Sequence, residues 1–205
     1  LVCALFSAWL AIGLADGPNW GRATMQKGAI NNIRILVIGL VTLALDQLTK
    51  WIVVQKIPGP AHGAEAPIVV IDGFFELVHY GNTGAAWSIF SGNNFWLAIF
   101  SMFALVFLWI YRRHFGVDTA LGQVALGLML GGVAGNLIDR VVHHHVVDFL
   151  QFYIPFRLPA FNIADSGICV GVGLMFLLSF FHSIFEVLFD HWLSSLRQSR
   201  RKRAP

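Results

Sequence analysis

Charge is what this chain has least of. Lys and Arg number 14 and Asp and Glu 11 in 205 residues, so charged residues reach only 12% while hydrophobic ones make up 57% and mean hydropathy is +0.68. A soluble domain carries about twice that share of charge. The soluble class is therefore excluded, and the integral membrane class remains. Cysteine is nearly absent as well: Cys3 and Cys169 offer no metal-ligand spacing and no evident disulfide. Cys169 falls inside an apolar run and reads as a small core residue. There is no HExxH helix, no glycine-rich phosphate loop, and no nucleophile elbow around Ser88 or Ser166. His143-His144-His145 has no Cys cluster or second His motif beside it, so it reads as a polar interfacial turn rather than a metal site. No internal repeat or low-complexity domain is visible. No metal, cofactor or nucleic-acid partner is expected.

What is present are four long apolar runs, at 33–54, 94–111, 120–142 and 164–186. Each approaches the roughly 20 residues that carry a helix across about 30 Å of hydrocarbon. Because a lone backbone finds no water there, the runs must be helices. The predicted fold is an all-α membrane protein of four transmembrane helices with a small extracytoplasmic β-hairpin or cradle. Gly127, Gly131, Gly132 and Gly135 in the third run, and Gly167, Gly171 and Gly173 in the fourth, would let these two helices approach closely.

Orientation follows from basic residues. Arg22, Lys27, Arg34, Arg112, Arg113, Arg197, Arg200, Arg201, Lys202 and Arg203 fall on one side, which is ten of the fourteen. Lys50, Lys56, Arg140 and Arg157 fall on the other. The positive-inside rule then makes both termini cytoplasmic and the segments 55–93 and 143–163 external. The tail Arg200–Arg203 reads as a topology anchor, with contact to anionic membrane lipids as the other reading. The apolar stretch 1–15 is too short to span and has no positive region before it. Met25-Gln26-Lys27 is a credible start, so 1–24 is taken as a dispensable extension, 25–190 as the membrane domain and 191–205 as a basic tail.

The external segment contains Pro58, Pro60, Pro67 and several Gly, which rules out a span. Ile68–Ile71, the turn pair Asp72-Gly73 and the run 74–80 predict a β-hairpin. Its aromatic residues suit headgroup depth. It reads equally as a small cap or as a platform for an extended substrate.

The scarce acids are not scattered. Asp46 lies about 20 Å along the first helix and Asp139 about 28 Å along the third. Asp148 sits in the short loop after that helix, and Asp165 opens the fourth. All four belong to the outer third of the bilayer, where a carboxylate is costly and marks a functional site. Asp46 and Lys50 are spaced i,i+4 and can pair. Asn136 and Arg140 share a face in the outermost turn of the third helix. If the chain between Asp148 and Asp165 loops back, the two carboxyl groups meet. Two such groups cannot both ionise easily, so one keeps its proton. A pair of that kind activates water with one member and protonates an amide leaving group with the other. Asp139 remains a rival for the pair, although Arg140 beside it would hold it ionised.

These blocks resemble those of the bacterial lipoprotein signal peptidases, or type II signal peptidases, which are four-helix membrane aspartyl proteases. D-x-x-T-K matches Asp46–Lys50, N-x-G-A-A-F is met at Asn82–Trp87, and G-N-x-x-D-R matches Gly135–Arg140. V-V-D-F matches Val146–Phe149 and F-N-x-A-D-S matches Phe161–Ser166. Five blocks in the family's order make a specific signal over about 33–186. Trp87, where the family usually has Phe, is one departure, and the extension before Met25 is another. The resemblance implies that Asp148 and Asp165 are the catalytic pair. It implies that Asn82, Gly84, Asn136, Arg140, Asn162 and Ala164 form or flank the substrate site, with Asp46, Lys50 and Asp139 in support. It implies a monomeric multi-pass enzyme of the bacterial inner membrane, with the active site at the periplasmic face. The implied substrate is a diacylglyceryl-modified prolipoprotein, cut just before the lipidated Cys. A small ion- or proton-coupled carrier is the alternative, since carriers also use intramembrane acids. Against it, the acids gather at one face rather than at the midplane.

Overall fold

The computed structural model describes residues 20–59, 67–84, 90–154 and 156–201. Residues 1–19 of the expected extension, Pro60, Trp87 and the tail residues 202–205 lie outside the described residues. In chain order the elements are α1 (Trp20–Lys56), β1 (Ile68–Ile71), β2 (Phe75–Asn82), α2 (Asn94–Ile110), a 3-10 turn (Arg112–Phe115), α3 (Ala120–Val142), β3 (Val146–Phe152) and α4 (Ile163–Arg201).

Among the described residues, three helices contain stretches long and apolar enough to cross a bilayer: Gly28–Lys56, Ala120–Val142 and Ile163–Phe181. The fourth expected span, α2, is apolar but has 17 residues. α1 starts at Trp20 rather than 33, and α4 runs to Arg201 rather than stopping at 186. Hydropathy stops registering where polar residues begin, whereas the backbone ladder continues through them.

The central element is α3, which packs against α1, α2 and α4. Its glycines divide between two neighbours rather than serving α4 alone. A Cβ on Gly127 would lie 2.7 Å from Ile38, and one on Gly131 would meet the Gly39 carbonyl, both on α1. A Cβ on Gly132 would run into the Ala164 carbonyl of α4. From the other side, Gly171 lies against Met129 and the Ala125 carbonyl. Gly173 has nothing within 4 Å and takes no part in this packing. At the opposite end Arg112 fastens α2 to α1: its Nε donates to Asn32 Oδ1 at 3.0 Å, and its guanidinium lies 4.6 Å from the Trp109 ring centre.

The predicted hairpin is present. Asp72-Gly73 turns the chain with Gly73 at φ +65°, and β1 pairs antiparallel with β2. A third strand was not expected. The segment around Asp148, read as a loop, is β3, which pairs antiparallel along β2 to give the order β1-β2-β3. The strand carries no alternating pattern because both of its faces are covered: Val146, Val147, Asp148 and Phe149 are all buried. Val147 and Phe149 pack on Val53 and Ile57 at the end of α1, which fixes the sheet to the helices. The β2–β3 register shifts between Leu77 and Tyr80, just before Tyr80 pairs with Asp148. Such a bulge re-aims the side chains that follow it.

Candidate active site

Asp148 projects from β3 and is 3% exposed. Its Oδ2 accepts from Asn82 Nδ2 at 2.9 Å, across the strand pair, and its Oδ1 accepts from Asn162 Nδ2 at 2.8 Å. Asp165 stands in the first turn of α4. Its Oδ1 accepts from Asn136 Nδ2 at 2.7 Å, and its Oδ2 accepts from the backbone N–H of Asn162 at 3.2 Å. Asn162 Oδ1 in turn accepts from the Asp165 N–H at 2.9 Å. That reciprocal exchange is a capping box that starts α4. Asn162, 0% exposed, thus grips both carboxylates at once. Its place is fixed by the preceding residue: Phe161 exchanges backbone hydrogen bonds with Leu150 of β3 at 2.8 and 3.0 Å.

Burial, followed by the nearby Asp165 carboxylate, pushes the Asp148 carboxyl up to about 7, against the hydrogen bonds from Asn82 and Asn162. A cavity of about 920 Å³ opens over the pair, walled by Asn82, Gly84, Asn136 and Arg140 together with Asp148 and Asp165. Tyr80 and the segment Leu158–Phe161 also line it. Cys169 also lines the cavity and is exposed, which corrects its reading as a small core residue. It stands one helical turn beyond Asp165 on α4.

Behind the cavity lies a second polar layer. Lys50 Nζ is 2.8 Å from Asp46 Oδ2, the expected i,i+4 pair, and 2.9 Å from Asp139 Oδ2. It also donates to Asn136 Oδ1 at 3.1 Å. Asp139 therefore owes its counter-charge to Lys50 rather than to Arg140, and it accepts in addition from the Val147 N–H at 3.1 Å. Arg140 points elsewhere: its Nη1 donates to the Asn136 carbonyl and its Nη2 to the Gly84 carbonyl, each at 3.2 Å. Asp46 Oδ1 accepts the Ala164 N–H at 2.9 Å, placing a carboxylate at the positive end of α4. Asp46, Lys50 and Asp139 do not line the cavity.

Two contributors carried no sequence signal. Gln47 Nε2 reaches Asp139 Oδ1 at 2.9 Å and Asp46 Oδ2 at 3.2 Å, tying α1 to α3. Asn94, which opens α2, donates to the Arg140 carbonyl at 3.0 Å. Gln47 lies 92 residues from Asp139, and Asn94 lies 46 from Arg140. Among the described residues no group of three or more His, Cys, Asp or Glu is arranged to hold a metal ion.

The model of the family described as signal peptidase (SPase) II matches residues 38–181. The lipoprotein signal peptidase of Bacillus pumilus (strain SAFR-032) is 42% identical over 142 residues, covering 69% of this chain and 88% of that protein. The lipoprotein signal peptidase of Syntrophotalea carbinolica is 43% identical over 148 residues, covering 70% and 88%. The chain belongs to the signal peptidase II family. Among solved structures, a bacterial membrane enzyme determined by the in meso method at 2.3 Å resolution superposes with a TM-score of 0.66 at 31% identity, over 73% of this chain and 88% of that one. A second such structure, at 1.9 Å, gives 0.59 at 31% identity, over 70% and 90%. The matched region of the signal peptidase II family contains the whole cavity and the polar layer behind it. Nothing among these relatives favours an ion-coupled carrier.

Proposed function

We propose that the chain is a membrane aspartyl endopeptidase that removes the signal peptide from diacylglyceryl-modified prolipoproteins, cutting just before the lipidated Cys. The observation that carries this reading is the grip of Asn162 on Asp148 and Asp165 at the floor of one cavity. With one proton shared between the two carboxyl groups, the ionised member takes a proton from water, whose oxygen attacks the scissile carbonyl carbon. The protonated member gives its proton to the amide nitrogen as the C–N bond breaks. The products are a signal peptide ending in a carboxylate and a lipidated Cys with a free amino group. Asn82, Asn136 and Arg140, with the backbone of Gly84, line the cavity and orient the peptide, while Asn162, buried behind it, acts through the two carboxylates. Asp46, Lys50, Asp139 and Ala164 hold α1, α3 and α4 in register beneath it.

In this reading α2 joins α1, α3 and α4 as a fourth span, and both termini are cytoplasmic. The sheet and cavity lie at the periplasmic face of the inner membrane. A lipid-anchored Cys then brings the scissile bond to the depth of the pair, and such positioning can supply several kcal/mol of the barrier, up to roughly 7–11. The activity resides in 25–190, works as a monomer among membrane lipids, and needs neither 1–24 nor a metal.

The deciding experiment is cleavage of a diacylglyceryl-modified prolipoprotein by purified protein in EDTA. Wild type is expected to cut, and folded Asp148→Asn and Asp165→Asn to lose cutting. Full activity in either variant removes the assigned pair. No cleavage by folded wild type removes the function.

A further inference from the structure

The family match ends at residue 181, yet α4 continues unbroken to Arg201. From Ile163 the helix has 39 residues, or about 58 Å at 1.5 Å per residue, against about 30 Å of hydrocarbon. The part beyond the family match is not an ordinary polar tail. Phe185, Leu188, Phe189 and Trp192 are 67, 62, 46 and 55% exposed. Their spacing confines them to roughly 100° of the helix surface. Phe185 stacks on Phe189 at 6.1 Å between ring centres, and Phe189 on Trp192 at 5.8 Å, so the stripe is continuous. It also runs on from an exposed apolar side of the span, where Leu177 and Phe181 are exposed, through the exposed Ile184. After the stripe the sequence supplies Arg197, Arg200, Arg201, Lys202 and Arg203.

We propose that α4 beyond Phe181 is an anchor on the inner leaflet, with the aromatic stripe seated at the lipid boundary and the basic run engaging anionic headgroups. The inner side rests on the topology proposed above. Three features select a lipid surface as the occupant: continuity with the exposed apolar side of the span in the same helix, aromatic residues of the type that settle at headgroup depth, and a positive run that complements anionic lipid. A helix standing upright would carry Trp192 about 44 Å from Ile163, clear of the hydrocarbon. Seating the stripe therefore requires α4 to lean or bend toward the leaflet.

The test uses the full chain with Cys3 and Cys169 replaced by Ser, reconstituted in nanodiscs. A spin label is placed by Trp192→Cys, and independently by Leu188→Cys in case one variant fails to fold. In discs containing phosphatidylglycerol, both labels should collide more with oxygen than with a water-soluble nickel chelate. That order should reverse in purely zwitterionic discs, and when Arg197, Arg200, Arg201, Lys202 and Arg203 are all changed to Gln. Labels that favour the nickel chelate in every lipid would overturn the proposal. So would labels shielded from both probes and broadened by a second chain, which would mean that a copy of this protein covers the stripe. Labels that stay in lipid despite the five Gln substitutions would equally reject the anionic-headgroup contact. Label depth is read without substrate and is independent of disc orientation, so it stands or falls separately from cleavage and topology.

Discussion

Lys50 Nζ meets Asn136 Oδ1 at 3.1 Å, and this contact decides which way the Asn136 amide faces. An ammonium has donors only, so the amide must turn its oxygen to Lys50. Its nitrogen is then left for Asp165 Oδ1, 2.7 Å away. Asn162 Nδ2 adds a second donor to the same Asn136 oxygen at 3.2 Å. A buried cation in α1 thereby dictates, through one amide, the polarity of the contact that Asp165 receives from α3.

Asn136→Asp tests that arrangement with almost no change in shape. The new carboxylate keeps an acceptor toward Lys50 but presents an oxygen to Asp165, replacing an attraction with a repulsion. Cleavage should fall by about 10²–10⁴, the range supplied by a working acid–base pair. The folded fraction in detergent should change far less. Wild-type turnover from folded Asn136→Asp would show that the amide does not orient Asp165.

Lys50 itself is 3% exposed and lies between Asp46 and Asp139. Removing one partner from a buried ion cluster strands the others, at a cost of about 3–5 kcal/mol. Lys50→Met should lower the unfolding midpoint in mixed micelles accordingly. The double variant Lys50→Met/Asp139→Asn should recover part of that loss, because it removes one stranded charge. Equal instability in the single and double variants would show that Asp139 does not depend on Lys50.

The sequence exposed local spacings well and distant contacts poorly. The pairing of Asp46 with Lys50 follows from one helical turn, and the hairpin follows from Asp72-Gly73 between two β-rich runs. The convergence of Asp148 and Asp165 was legible as a possibility because one short return segment joins them, but its agent, Asn162, was visible only as part of a motif. β3 was missed because Val146–Phe149 is buried on both faces and lacks the alternation that reveals a half-exposed strand. The bond from Gln47 to Asp139 spans 92 residues, and nothing in either local pattern announces it. Arg140 was misassigned to Asp139 because adjacency in sequence says nothing about direction: one turns back to Lys50 and the other toward Gly84.

Gly132 sets the distance between α3 and α4 at the level of the pair. A Cβ there would run into the Ala164 carbonyl and lie 2.8 Å from Ile168 Cγ1. Since the obstruction is backbone, the helices themselves must separate. Ala164 immediately precedes Asp165, so the shift would stretch the bond to Asn136. Gly132→Ala is expected to cost about 1–3 kcal/mol of stability. Cleavage should drop by more than that loss of folded protein explains. Gly173→Ala is the matched control, because a Cβ there meets nothing within 4 Å. Equal activity in the two variants would refute the spacing role.

Asp148, with its carboxyl raised to about 7, predicts how both activity and stability respond to pH. An unfolded Asp titrates near 3.9, so between about pH 4 and 7 the folded chain keeps a proton that the unfolded chain has lost. This contribution is fully present at low pH and declines as pH rises through that window, by up to about 4 kcal/mol, then stays constant above it. Asp148→Asn should remove that slope and leave the protein at least as stable as wild type at pH 8. Activity has a related dependence. If the pair works with a single proton, kcat/KM should decline above an apparent pKa near 7, a value belonging to the pair rather than to one residue. Asn82 donates to Asp148 Oδ2 at 2.9 Å and favours its ionised form. Asn82→Ala should therefore move the declining limb to higher pH while lowering the maximum rate. A limb that stays in place in folded Asn82→Ala, or moves to lower pH, would separate the activity profile from Asp148.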